Sequence, residues 1–324
     1  MTSAEARIAP ECRRPFVRPF RPPFLPPRPL KQVYDLRKPR PADWGIGVTT
    51  CIASKSDDCI VAVADMMVTL DHVSGDTLAA KFMPIGRTWM AMFSGNDVSP
   101  AEPIAARVNK RVQQSDPVTA EELALAFEEE YAAEVRRRAE AQVLSVLGLK
   151  METFLNDGLK KLGSSLFSQL LYEVRAVKLD VEFLVFGFDT EAHVFTVSCP
   201  GTAFNCDVSG FWAIGSGAVS ALGMLFNLQH SQVARPARAL YNLSAAKFVS
   251  ESAPGVGKET LALVLHKNGN RLLFLSKHLS PIRNLWESEG RPRLPPLAES
   301  VSQKLIADQE EKERQIRATA LPGG

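Results

Sequence analysis

Two short apolar runs, residues 49–53 and 60–65, are separated by only a polar stretch from Ser54 to Asp58. Runs this short and this close read as strands, and a gap of a few residues permits only an antiparallel hairpin. A third strand-like run follows at 88–93, then a long helical stretch, then two more strand-like runs at 180–188 and 194–198. Hairpin-spaced strands in groups, separated by runs of helix, predict an α+β fold of antiparallel sheets covered by helices rather than a doubly wound parallel sheet.

The helical stretch has its own punctuation. Thr119 followed three residues later by Glu122 predicts a capping box, and Leu123, Phe127, Tyr131 and Val135 continue at helical spacing. Arg136, Arg137 and Arg138 read as a solvated face. A second segment, 151–172, aligns Phe154, Leu155, Leu159, Leu162, Leu166, Phe167 and Leu170 in one apolar stripe, most simply a core face.

Chemistry enters with four residues at steps of 16, 16 and 14: Thr49, Asp65, Lys81 and Gly95. A threonine hydroxyl is a weak nucleophile unless a base sits beside it, and an N-terminal threonine carries one in its own α-amine. The α-amino pKa of about 7.7–8.0 suits that role near neutral pH. A nearby cation favours the developing alkoxide, and an aspartate can hold that cation in place.

The segments around these four residues resemble the proteasome-type N-terminal-nucleophile (Ntn) hydrolases, of the bacterial 20S proteasome β-subunit kind. Thr49-Thr50-Cys51-Ile52-Ala53 with Ile60-Val61-Ala62-Val63-Ala64-Asp65 is similar to that family's first hairpin. Lys81-Phe82-Met83-Pro84-Ile85-Gly86 resembles its lysine-bearing strand, and Met90-Ala91-Met92-Phe93-Ser94-Gly95 the strand ending in its glycine. Two later segments, Phe183 to Asp189 and Phe211 to Gly217, also match in order. The resemblance implies a four-layer αββα sandwich. It implies Thr49 as nucleophile, its α-amine as proton acceptor, Lys81 as the adjacent cation and Asp65 as that lysine's anchor. It further implies the Gly95 N–H as oxyanion donor, Ser216 as the residue that orients the amine, and Glu251 in place of a late aspartate. Where many relatives carry an arginine two positions after the aspartate, this chain has Met67.

Thr49 can act only as a first residue. The family's propeptide ends in glycine, whereas Val48 precedes Thr49 and Gly47 lies one position further back. Exposure requires either removal of residues 1–48 or initiation at position 48, where a start codon would read as valine. Residues 1–47 hold ten of the 22 prolines and ten Lys or Arg against four acidic residues. Such text cannot build ladders, because proline lacks the N–H and biases its neighbours to extended geometry. It reads as a disordered tail, a propeptide or a mis-called upstream segment, with Pro23-Phe24-Leu25-Pro26 fitting a PxxP ligand. The expected division is therefore 1–48 tail, 49–283 Ntn domain and 284–324 charged tail.

Two functions stay open: a threonine peptidase or amidohydrolase, including one acting on small amides, and a catalytically silent assembly subunit of the same fold. The resemblance implies a homo-oligomeric ring, with an ATP-driven partner unspecified, and a peptide or protein substrate. The formal charge of +2 comes from the basic tail, leaving the remainder slightly acidic, so neither nucleic acid nor membrane is an expected partner. Cys12, Cys51, Cys59, Cys199 and Cys206 show no CxxC spacing, which predicts a reducing, cytoplasmic setting and no metal or other cofactor. The uncharged run 211–228 reads as a strand plus a buried helix, not a span. Gly255-Val256-Gly257-Lys258 lacks the residues of a phosphate loop, and His72, His193, His230, His266 and His278 show no triad or metal spacing.

Overall fold

The predicted hairpin forms between β1 (Cys51–Lys55) and β2 (Cys59–Asp65), with Cys51 opposite Ala64 and Lys55 opposite Ile60. A computed structural model describes residues 49–70, 73–76, 81–113 and 118–291, with a few single positions after them. The proline-rich segment, Val48, His72 and most of the charged tail lie outside the described residues.

The hairpin belongs to one of two five-stranded antiparallel sheets. Its sheet runs in the order β10 (Phe211–Ile214), β1, β2, β11 (Thr260–His266), β12 (Arg271–Phe274). The second runs β5 (Met83–Ile85), β6 (Trp89–Gly95), β7 (Val181–Phe188), β8 (Ala192–Ser198), β9 (Thr202–Asn205). A small separate hairpin pairs β3 (Met67–Leu70) with β4 (Val73–Asp76).

Alternate side chains of the central strands enter different cores. From β2, Ile60, Ala62 and Ala64 join Met92, Leu184, Phe186 and Leu263 in a cluster between the two sheets. Val61 and Val63 of the same strand face the opposite way, onto Leu225, Leu243 and Phe248. This two-sided burial explains the continuous apolar runs, since a strand with water on one face would alternate with polar residues. Each fully buried Leu, Ile or Phe contributes about 1.5–3 kcal/mol of transfer free energy.

Helices cover both outer faces. On the second sheet, α1 (Ala101–Val112) and α2 (Ala120–Ala139) bury Ile104, Val108, Leu123, Phe127 and Tyr131 against Phe183, Val185 and Phe195. On the first lie α4 (Ala218–Asn227), α5 (Pro236–Ser250) and α6 (Ser276–Leu285), after the intervening α3 (Met151–Ala176). The run 211–228 is β10 followed by α4, and among the described residues no helix is long and apolar enough to cross a membrane. The capping box is present: Thr119 Oγ1 accepts from the Glu122 N–H and Glu122 accepts from the Thr119 N–H.

Three expectations need revision. Helix α6 runs through residue 283 without a break, and Trp286 beyond it is buried beside Phe248, so the folded part extends past the expected boundary. Segment 151–172 does not present one stripe. At Gly163 the backbone leaves helical geometry (φ 77°, ψ 163°), and Phe154 stacks on Phe167 with ring centroids 4.9 Å apart. Thirteen residues of straight helix would separate them by about 20 Å, so α3 doubles back on itself, leaving Leu155, Leu159 and Leu166 exposed. Finally, the arginines at 137 and 138 are not merely solvated: they converge with Arg107 on the buried Glu134 carboxylate.

Candidate active site

Antiparallel pairing brings the ends of several strands to one place. Thr49 precedes β1, Asp65 ends β2, Gly95 ends β6, and the turn Gly215-Ser216-Gly217 follows β10. Because β1 pairs with β2 on one side and β10 on the other, Thr49 and Thr50 lie between Asp65 and that turn. Lys81 comes from the segment leading into β5 of the other sheet.

Lys81 joins the group. Its ammonium donates to Thr49 Oγ1 and to Asp65 Oδ1, each at 2.7 Å. Thr49, Asp65 and Lys81 are 3 %, 1 % and 3 % exposed, so a charged pair sits in the interior. Such a pair persists only when its remaining hydrogen-bonding capacity is met, and Asp65 meets it with backbone donors. Oδ1 also accepts from the Thr50 N–H at 2.9 Å, while Oδ2 accepts from the Met67 N–H at 3.2 Å and the Gly257 N–H at 3.1 Å.

Glycines let the backbones meet. A methyl on Gly215 would stand 2.2 Å from the Thr49 carbonyl oxygen and 3.3 Å from Ser94 Cβ, so this glycine is the point where the β6 end and Thr49 approach. Gly95 takes φ +150°, and a methyl there would stand 1.9 Å from the Asp180 carbonyl oxygen. Gly95 and Ser216 both line an open cavity of about 460 Å³ with Ser94, Asn96, Asp180 and Glu182. Burial raises the Glu182 carboxyl above its ordinary pKa.

Ser216 lies in the turn beside Thr49, and Glu251 lies at the C-terminal end of α5. Ser216 Oγ donates toward the Pro254 carbonyl at 3.1 Å and the Thr49 carbonyl at 3.4 Å. The Glu251 carboxylate accepts from Lys247 and Arg283 at the end of α5. A neighbouring rival nucleophile is disabled: burial pushes the Cys51 thiol up to about 12, and its Sγ donates to the Phe93 carbonyl at 3.5 Å.

Ser54, His230 and Asn242 also come together, with Ser54 Oγ 2.7 Å from Nε2 and Asn242 Nδ2 3.1 Å from Nδ1. All three are buried, and burial together with Arg238 brings His230 down to about 4, so the trio is an interior polar network. A larger cavity of about 1020 Å³ lies against Phe248, Arg283 and Trp286, and none of Thr49, Asp65, Lys81 or Gly95 lines it. Sequence reading missed Thr50, Gly215, Gly257 and Lys247. Backbone donors carry no sequence signature, and Gly257 was legible only as part of the late stretch around Glu251 and of a failed phosphate loop.

No protein-family model matches the chain, and no curated protein matches it.

Proposed function

We propose that the group around Thr49 is the active site of a proteasome-type Ntn hydrolase that cleaves peptide bonds, with Thr49 made N-terminal by loss of the residues before it. The observation that carries this reading is the buried Lys81 ammonium, 2.7 Å from both Thr49 Oγ1 and Asp65 Oδ1. Held by Asp65 and donating to the hydroxyl, Lys81 stabilises the alkoxide and leaves the role of base to another group. The freed α-amine of Thr49 fills that role. The arrangement of helices, two sheets and helices supports the αββα assignment, and assembly into a homo-oligomeric ring belongs to the same proposal.

The amine takes the Oγ1 proton as Oγ1 attacks the substrate carbonyl carbon. The Gly95 N–H meets the oxyanion, a contact worth about 2.7–4 kcal/mol at the transition state in comparable sites. Cleavage of the C–N bond passes that proton to the leaving amine. Water, deprotonated by the same α-amine, then hydrolyses the ester on Thr49.

A second reading, the silent assembly subunit, draws on Thr49 standing at position 49, where its nitrogen belongs to the Val48–Thr49 peptide bond. Intact mass and N-terminal sequencing of protein from its native source separate the two. A chain beginning at Thr49 that gains the full mass of a peptidyl β-lactone, and loses that gain on Thr49→Ala, is the expected result. A chain beginning at Met1 or Thr2, unlabelled, overturns the hydrolase reading.

A further inference from the structure

Lys247 on α5 is fully buried, and its three ammonium protons have three acceptors: the Glu251 carboxylate at 2.6 Å, the Gly257 carbonyl at 2.7 Å and the Lys258 carbonyl at 2.9 Å. A buried cation is costly, and an apolar side chain of similar length would fill the same space without that cost. The ammonium therefore needs a reason beyond packing. Gly257, whose carbonyl it holds, is the residue whose N–H donates to Asp65 Oδ2.

We propose that Lys247 is a positioning residue for Asp65 and, through Asp65, for Lys81 and Thr49. By gathering two consecutive carbonyls of the loop between α5 and β11, it fixes the Gly257 N–H on Oδ2. Of the other donors to Asp65, Thr50 and Lys81 both reach Oδ1, so Oδ2 would keep only the Met67 N–H from two residues away. A carboxylate held on one oxygen and loosely on the other can turn about its Cβ–Cγ bond, and Oδ1 then leaves the line that orients Lys81. Glu251 from the same helix, Arg283 from α6 and Asp65 from β2 are the charged groups facing Lys247. The Glu251 and Arg283 pair closes the outer side of this brace, which accounts for Glu251 lying where it does.

Only the kinetic consequence rests on the reading of Thr49 as nucleophile; the geometric claim can be read without activity. Backbone NMR of the full chain follows the Gly257 and Thr50 amides, which meet the two oxygens of one carboxylate. Lys247→Met, close in volume and without donors, is expected to move the Gly257 amide proton upfield and speed its exchange about tenfold. The Thr50 amide, just before β1 and far from Lys247 in sequence, is expected to shift with it. A folded variant with both amides unmoved overturns the proposal. Should that variant fail to fold, wild-type exchange decides the matter: a Gly257 amide exchanging as fast as that of the exposed turn residue Asn268 overturns it too. In a chain beginning at Thr49, Lys247→Met is expected to lower the maximal rate of β-lactone acylation about tenfold, with half-saturation unchanged. A loss confined to half-saturation contradicts positioning. A slow Gly257 amide in a wild-type chain that is never acylated sinks the nucleophile reading and leaves the positioning claim standing.

Discussion

At Gly95 a single hydrogen in place of a methyl lets β6 end against the Asp180 carbonyl. Gly95→Ala adds a clash at 1.9 Å to a backbone angle of +150° that other residues rarely adopt. It is expected to cost roughly 2–4 kcal/mol, read as a lower urea midpoint. At Lys81 the expectation has two parts. Lys81→Met leaves Asp65 buried without its direct counter-ion, which typically costs 3–5 kcal/mol. Three backbone donors remain on Asp65, so a value of about 3 kcal/mol is expected from denaturant titration. On the hydrolase reading proposed above, the folded variant is also expected to lose acylation at Thr49, because an alkoxide there would have no cation beside it. Retained acylation there would move the activating role away from Lys81.

Among the elements, the turn after β7, the start of β8 and the segment after β9 are tied by His193. Its Nδ1 lies 2.7 Å from Asp207 and its Nε2 3.0 Å from Asp189, while Lys55 on β1 reaches Asp207 at 3.0 Å. This links the end of β1 in one sheet to the β8–β9 end of the other. Asp207 and, more weakly, Asp189 hold His193 above its ordinary 6.5 against the opposing effect of burial. Its contribution is complete below 6.5 and is lost as pH rises through its folded-state pKa. Asp189 and Asp207 behave in the reverse sense. Burial pushes both up, but backbone N–H groups, His193 and, for Asp207, Lys55 bring them down to about 2. Their contribution is complete above 3.8 and is lost as pH falls toward 2. His230 adds a further acid weakness: with its folded pKa near 4, stability declines as pH falls from 6.5 toward 4. Urea midpoints from pH 4 to 8 check this. His193→Asn is expected to flatten the decline above pH 6.5, and His230→Asn the decline below it. Unchanged slopes would mean these histidines titrate alike in the folded and unfolded chains.

Across the molecule, both sheets contribute alternate residues to the cluster between them, so neither is complete alone. Phe186→Ala, at a fully buried member of that cluster, is expected to cost about 3–5 kcal/mol. Guanidinium unfolding followed by both near-ultraviolet and far-ultraviolet circular dichroism is expected to show one transition. Separate transitions would mean the sheets unfold independently.

Strand runs, the β1–β2 hairpin, the Thr119 cap and the Thr49, Asp65 and Lys81 group were legible in the sequence because each rests on local spacing or on side chains whose chemistry is distinctive. Two-sided burial even wrote itself into β2 as an unbroken apolar run. The doubling of α3 was not legible, since a glycine inside a helical pattern is usually tolerated and only contact between Phe154 and Phe167 makes Gly163 a reversal. Nor was the company of Glu251, because an acidic residue near the expected position carries no record of which cation will claim it. The sequence by itself determined which residue types could perform chemistry and which strands would pair with their neighbours. Only the tertiary structure decided that Asp65 would be held by the N–H groups of Thr50, Met67 and Gly257, with Lys247 behind the last. Backbone amides are the same in every residue but proline, so where they point is set by packing alone.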